Sequence, residues 1–183
     1  MPTPATDSLT RPPWYQRRFQ FGLPPWLLTD LLERLRGTVL RLNPLLDALD
    51  AATLHRSDDG SWSIAQNVGH LGDTEELWIQ RYEDLQAGRE TFTPADPTLL
   101  EAQGEQHVGV PIEKTLARVG ALRARWIGML ETAPAALQLA SAFHARLDTH
   151  MRLVDCAQFA THHDDSHLVR IRQLRAQFGV DSI

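Results

Sequence analysis

The sequence predicts an all-α fold, a four-helix bundle. Three observations carry this: four long segments repeat apolar residues at helical spacing, their ends carry helix-boundary residues, and no strand-like alternation survives beyond a few positions. The chain has 183 residues, enough for one domain with its own core.

Residues 1–25 read as an extended, proline-rich arm and 26–183 as a single helical domain. The arm holds six of the eleven prolines (Pro2, Pro4, Pro12, Pro13, Pro24 and Pro25), each removing a backbone donor and disfavouring helix just before it. Trp14, Tyr15, Phe19 and Phe21 give it aromatic surface to pack along the bundle or a partner subunit. The first helix is expected from about Trp26 to Leu42, with Leu28, Leu31, Leu32, Leu35 and Val39 on one face. Asn43 and Pro44 then read as an N-cap and first position of a shorter helix carrying Leu45, Leu46 and Leu49.

The second long helix is expected from Ser63 to about Ala87. Ser63 and Gln66 have capping-box spacing, and Gly88 can end the helix. Residues 89–110 read mainly as a long connection. A third helix opens at Pro111 and runs to about Leu130, with a helical turn at Ala135 to Leu139 after it. The fourth is expected from near Asp148 or Thr149 to Phe178, with Gly179 as its C-terminal cap.

Composition narrows the function. A net charge of -5 and a pI near 5.9, with no long Lys/Arg run, argue against nucleic-acid binding by charge. The single cysteine, Cys156, excludes an internal disulfide and agrees with a reducing cytoplasm. The N-terminal segment lacks the basic and apolar regions of a signal peptide, and no apolar run approaches a bilayer span.

Chemistry concentrates in the histidines. His163 and His167 lie one turn apart on one face of the fourth helix, flanking the stripe Leu153, Ala157, Ala160, Leu168, Ile171 and Phe178. His70 flanks the stripe Ile64, Val68, Leu71, Trp78 and Tyr82 of the second helix, beside Asn67 and Thr74. Two such flanks facing across a groove could place three imidazoles on one metal, with coordination positions left for water or substrate. From spacing alone the alternative stands level: a core-edge histidine bonded to a carbonyl and two solvated ones. His55, His107, His144 and His150 fall in or near connections and read as surface residues, while His162 points away from His163.

Glu75 and Asp164 project into the middle of apolar stripes, where an unpaired carboxylate is costly. Each could orient a metal-bound histidine or form an ion pair with Arg81, Arg123 or Arg125. Arg170, one turn beyond His167, could hold an anionic substrate or be solvated, and Arg81 is a second candidate for that role. Cys156 is about 10.5 Å along the axis from His163, too far to share its ligand site, and reads as a small core residue.

The runs from Trp62 through His70, Glu75 and Trp78 to Arg81, and from Met151 to Asp155 continuing Phe159 to Leu168, resemble the DinB/YfiT-like superfamily of metal-binding bundles. The resemblance spans roughly residues 27–178. It implies an up-down-down-up arrangement and a divalent ion on His70, His163 and His167, zinc or nickel first and iron or manganese next, completed by water. It also implies homodimers. Some relatives look like transferases that conjugate a low-molecular-weight thiol to an electrophile. That is the leading reading for this chain. Its alternatives are a metal-dependent hydrolase using metal-bound water and a non-catalytic, stress-related metal-binding or interaction module. No membrane or nucleic-acid partner is expected. The resemblance leaves the arm and the 89–110 connection unexplained.

Overall fold

The computed structural model describes residues 11, 12, 14–58, 60–96 and 100–180. Its helices are α1 (Leu28–Leu46), α2 (Ala51–His55), α3 (Ile64–Gln86), α4 (Leu100–Glu105), α5 (Ile112–Glu131), α6 (Ala135–Leu139) and α7 (Leu153–Gln177). Between α6 and α7 lies a two-stranded antiparallel hairpin, β1 (Ala142–His144) with β2 (Thr149–Met151). None of the helices is long and apolar enough to cross a membrane.

The four long helices are α1, α3, α5 and α7. α1 and α3 each pack against both α5 and α7, so α1 and α3 are diagonal. Contacts fix the directions. Arg34 and Arg41 of α1 bond Asp165, and Arg175 further along α7 bonds Leu45 O further along α1, so these helices run parallel. Arg118 bonds Asp73 and Glu76, while Arg125 bonds Glu83, so α3 and α5 are parallel too. His167 meets Asn67 while Phe159 meets Trp78, so α3 and α7 are antiparallel. The result is the up-down-down-up bundle. It accounts for the long segment after α3: entering a parallel neighbour requires crossing back along a 23-residue helix, about 34 Å. The crossover uses α4 and a bridge from Thr91 to Phe143 on the way.

The core has two apolar halves. Leu31, Leu35, Trp78, Trp126, Phe159 and Ala160 belong to one, and Leu42, Ile64, Leu71, Val119, Leu168 and Ile171 to the other. Between them runs a polar layer. Arg123 of α5 donates through Nε to Glu75 of α3 (2.8 Å) and through Nη1 to Asp164 of α7 (2.8 Å) and Leu35 O of α1 (2.9 Å). Thr38 Oγ1 donates to Asp164 at 2.7 Å. All four side chains are buried.

Ser63 caps α3 in the expected capping box, its side chain accepting from Gln66 N and Gln66 accepting from Ser63 N. Other boundaries differ from expectation. α1 continues through Pro44 to Leu46, because burial of Leu42, Leu45 and Leu46 holds the turn that the missing N–H weakens. The separate short helix is α2, whose cap is Asp50, accepting from Thr53 N at 2.8 Å. α7 begins at Leu153 rather than near Asp148: Asp148 sits in the left-handed region (φ 49°), and residues 149–151 pair back onto 142–144.

The described part of the arm packs on its own bundle. Trp14, Phe19, Phe21 and Leu23 lie against the core half that holds Phe159. The buried Asp155 carboxylate accepts from Leu23 N (3.0 Å) and Arg152 N (2.9 Å), fastening arm and α7 together. Pro2, Pro4 and Pro13, and the Tyr15 side chain, lie outside the described residues.

Candidate metal centre

α3 and α7, antiparallel neighbours, bring His70, His163 and His167 together. His163 Nε2 lies 3.3 Å from His70 Nε2 and 3.2 Å from His167 Nε2. One nitrogen from each of the three rings lies within 4.8 Å of the other two. The first two are buried and His167 is half-buried, so the cluster lies at the edge of the core.

The proton positions matter. Asn67 donates both amide hydrogens, to Trp62 O (3.2 Å) and Ser63 O (2.8 Å). Its Oδ1 therefore faces His167 Nδ1 at 2.9 Å as the acceptor. That puts the His167 proton on Nδ1 and a free lone pair on Nε2, pointed at His163. Burial, with His167 and His107 nearby, pushes His70 down to about 3. Burial foremost holds His163 and His167 well below the usual histidine value. All three rings are neutral at physiological pH, the form that ligates metals.

The arrangement fits a divalent ion. Two nitrogens about 2.0–2.1 Å from a tetrahedral metal are about 3.3 Å apart, close to the two separations found. Hydrogen bonds alone leave the cluster incomplete, because a single His163 Nε2 cannot both donate to the His167 lone pair and accept from His70 Nε2.

Two tryptophans wall the cluster. The Trp62 ring lies 4.7 Å from His70 and 6.4 Å from His167, and Trp14 of the arm meets His163 edge-on at 5.3 Å. His107 of the crossover packs its ring on Gly69, so close that a Cβ there would fall 2.2 Å from it, and bonds Asp73 at 2.8 Å. Only glycine at 69 lets the crossover approach α3 so near His70.

The other sequence candidates lie apart from the histidine nitrogens. Glu75 and Asp164 bond Arg123, the ion-pair alternative. Arg81 is about 16 Å along α3 from His70 and bonds Thr93 O at the opposite end of the bundle. Arg170 donates to Ser61 Oγ. Cys156 is a buried core thiol pushed up to about 12 by burial. His162 packs on Phe19 of the arm, away from the cluster. Two surface expectations are corrected: His107 and His144 are buried, because the connections carrying them fold back onto the bundle. Asn67 was placed on the His70 flank by its spacing, but its role in orienting His167 was not foreseen. A buried amide one turn before a candidate ligand was the available signal.

Fold and site define the class: an up-down-down-up four-helix bundle with a cluster of three neutral histidines set between its second and fourth long helices. The DinB superfamily model matches residues 31–171, and the chain belongs to that family. Its structure is similar to that of YfiT from Bacillus subtilis (TM-score 0.75, 19% identity, covering 89% of this chain and 94% of that one), described as a probable metal-dependent hydrolase with an unusual four-helix bundle topology. It is also similar to an uncharacterized protein from Clostridium difficile 630 (TM-score 0.66, 10% identity, 87% and 98% covered) and to a protein from Streptococcus pneumoniae (0.66, 11%, 87% and 93%). No curated protein matches the sequence.

Proposed function

We propose that this protein is a metal-dependent enzyme that activates a low-molecular-weight thiol for transfer to an electrophile, with His70, His163 and His167 as the metal ligands. The observation that carries the reading is the convergence of three neutral imidazoles, with His163 Nε2 3.2–3.3 Å from the Nε2 of each of the other two and all three within 4.8 Å. A divalent ion there supplies a Lewis acid that makes a thiol or a water nucleophilic near neutral pH. Zinc or nickel suits an all-imidazole set, and iron is a third candidate.

The chain's own residues support an external nucleophile. The sole cysteine is buried and held protonated. Glu75 and Asp164, the buried carboxylates nearest in sequence to the ligands, are engaged by Arg123 and not free to act as bases. Asn67 holds the His167 ring in the ligating tautomer. Trp14 and Trp62 exclude water from two sides and offer apolar surface to a substrate.

The ligand assignment is tested by His163→Ala. The expected outcome is loss of stoichiometric metal in elemental analysis, and with it loss of thiol-transfer activity. Full metal content in that variant would refute the assignment. A second reading, a hydrolase, is favoured by the description of the B. subtilis relative. Turnover of esters or amides with no thiol present would select it.

A further inference from the structure

At the far end of α3 from the histidines, a cavity of about 30 Å³ is lined by Arg81, Phe92, Thr93, His144, Arg146 and neighbouring residues. Arg81 and His144 are buried, with 2% and 4% exposure, while Pro94, Ala95, Ala145 and Arg146 are exposed and form its mouth.

The polar groups there are donors. Arg81 packs over Trp78 and Phe92 (5.0 and 5.9 Å) and spends one N–H, Nε, on Thr93 O at 3.3 Å. Its two terminal amino groups make no hydrogen bond to the described residues. His144 Nδ1 accepts from Leu147 N at 3.3 Å, which puts the ring proton on Nε2. That Nε2–H is buried and has no partner. A buried donor left unmet costs about 1–3 kcal/mol, and the His144 Nε2–H faces the same space as the Arg81 guanidinium.

Asp84, whose charge reaches Arg81, already accepts from Thr93 N and pairs with Arg89. Cys156 beside Arg81 stays a neutral thiol. Burial and the two arginines press His144 down to about 4, so it is neutral at pH 7 and donates only through Nε2. Burial lowers Arg81 to about 10, which leaves it charged.

We propose that Arg81, His144 and Arg146 form a binding subsite for a carboxylate group, separate from the histidine cluster. A guanidinium fork, an imidazole N–H and a second arginine at the mouth match an acceptor-only planar anion. The small volume suits a carboxylate head better than a tetrahedral phosphate. The remainder of such a ligand leaves past Arg146 at the mouth. The Phe159 ring lies 6.1 Å from that of His144 and 5.1 Å from that of Trp14.

The test is an NMR titration of the full chain with sodium acetate, in metal-loaded and chelator-treated forms, at constant ionic strength. It follows the Arg81 Nε–Hε and His144 ring resonances. Acetate is expected to shift both saturably, with a millimolar dissociation constant, equally in the two forms. Sodium phosphate should bind about tenfold more weakly or less, and chloride not at all. Arg146→Ala, a surface change that spares the core, should weaken acetate about tenfold, the loss of one charge-assisted contact. His144→Phe keeps the ring and removes the donor, and should weaken it as well. A non-saturating response, affinity unchanged in both variants, phosphate binding tighter than acetate, or a response confined to the metal-loaded form would each overturn the proposal. Because the chelated form is measured, an absence of metal from the histidine cluster leaves this result readable.

Discussion

α3 and α7 each place a histidine and a carboxylate in neighbouring positions of the same core, and the two sets meet opposite fates. Glu75 and Asp164 meet an internal counter-charge, since Arg123 reaches both from α5 and Thr38 adds a bond to Asp164 from α1, although each acid keeps one buried oxygen without a hydrogen bond among the described residues. His70 and His163, five residues before Glu75 and one before Asp164, turn their Nε2 atoms to each other and to His167, with no counter-charge paired to them among the described residues. The first set has its charge balanced inside the fold, and the second is left with lone pairs converging on a point. Polar residues in a core are not informative as such. What distinguishes structure from a candidate site is whether the chain provides the partner.

The strongest way to break the contrast is to open the closed layer. Arg123→Met keeps volume and removes the charge, leaving Glu75 and Asp164 facing each other in the core without a cation. Breaking a buried ion pair from one side costs about 3–5 kcal/mol, and denaturant unfolding should show a loss of that size. A loss under about 1 kcal/mol would mean that the layer is dispensable.

Closing the open cluster is the converse. Adding zinc at about 1,000 times its dissociation constant stabilises the folded state by about 4 kcal/mol. For a chain of this length that raises Tm by about 10 °C. Chelation should reverse it, and His163→Ala should be insensitive to both treatments. Equal Tm with and without metal in the unaltered protein would show that the histidines hold no ion.

How much of this was legible before the structure follows the same division. The long helices, the Ser63 capping box and the pairing of His163 with His167 are periodic or local, so one stretch of chain contains the whole signal. The identity of the counter-ion was not legible: Arg81, Arg123 and Arg125 were equally available, and only the crossing of α5 over α3 selects Arg123. His107 and His144 lie in connections, and connections usually run at the surface. Their burial depends on a crossover returning along parallel helices and on a hairpin whose three-residue strands are too short to alternate visibly. Pro44 reads locally as a helix start. The buried leucines after it, a tertiary effect, carry the helix through.

The contrast sharpens at Asn67, which orients one open-cluster ligand by a single bond. Asn67→Ala removes the acceptor from His167 Nδ1 and frees that ring to turn or change tautomer. Loss of a contact that orients a ligand costs about 10–100-fold in metal affinity, or about 1.4–2.7 kcal/mol. Competition with a chromogenic chelator measures it. An affinity within about twofold of the unaltered protein would show that packing against Trp62, not the amide, sets the ring.

The smallest effect concerns the closed layer, where two carboxylates share one guanidinium. Burial, together with the Asp164 charge, pushes Glu75 up to about 7 against the pull of Arg123. The folded state then holds the Glu75 proton more tightly than the unfolded chain, whose value is near 4.5. The resulting stability is complete below about pH 4.5 and disappears as pH rises through about 7. Glu75→Gln fixes a neutral group that still accepts from Arg123 and does not titrate. In metal-free protein, the stability of the variant relative to the unaltered chain should improve by about 1–2 kcal/mol between pH 6 and pH 8. The buried histidines gain stability as pH rises over that range and do so in both proteins, so the difference isolates Glu75. Parallel pH profiles would mean that Glu75 stays ionised throughout, with Arg123 alone compensating for both acids.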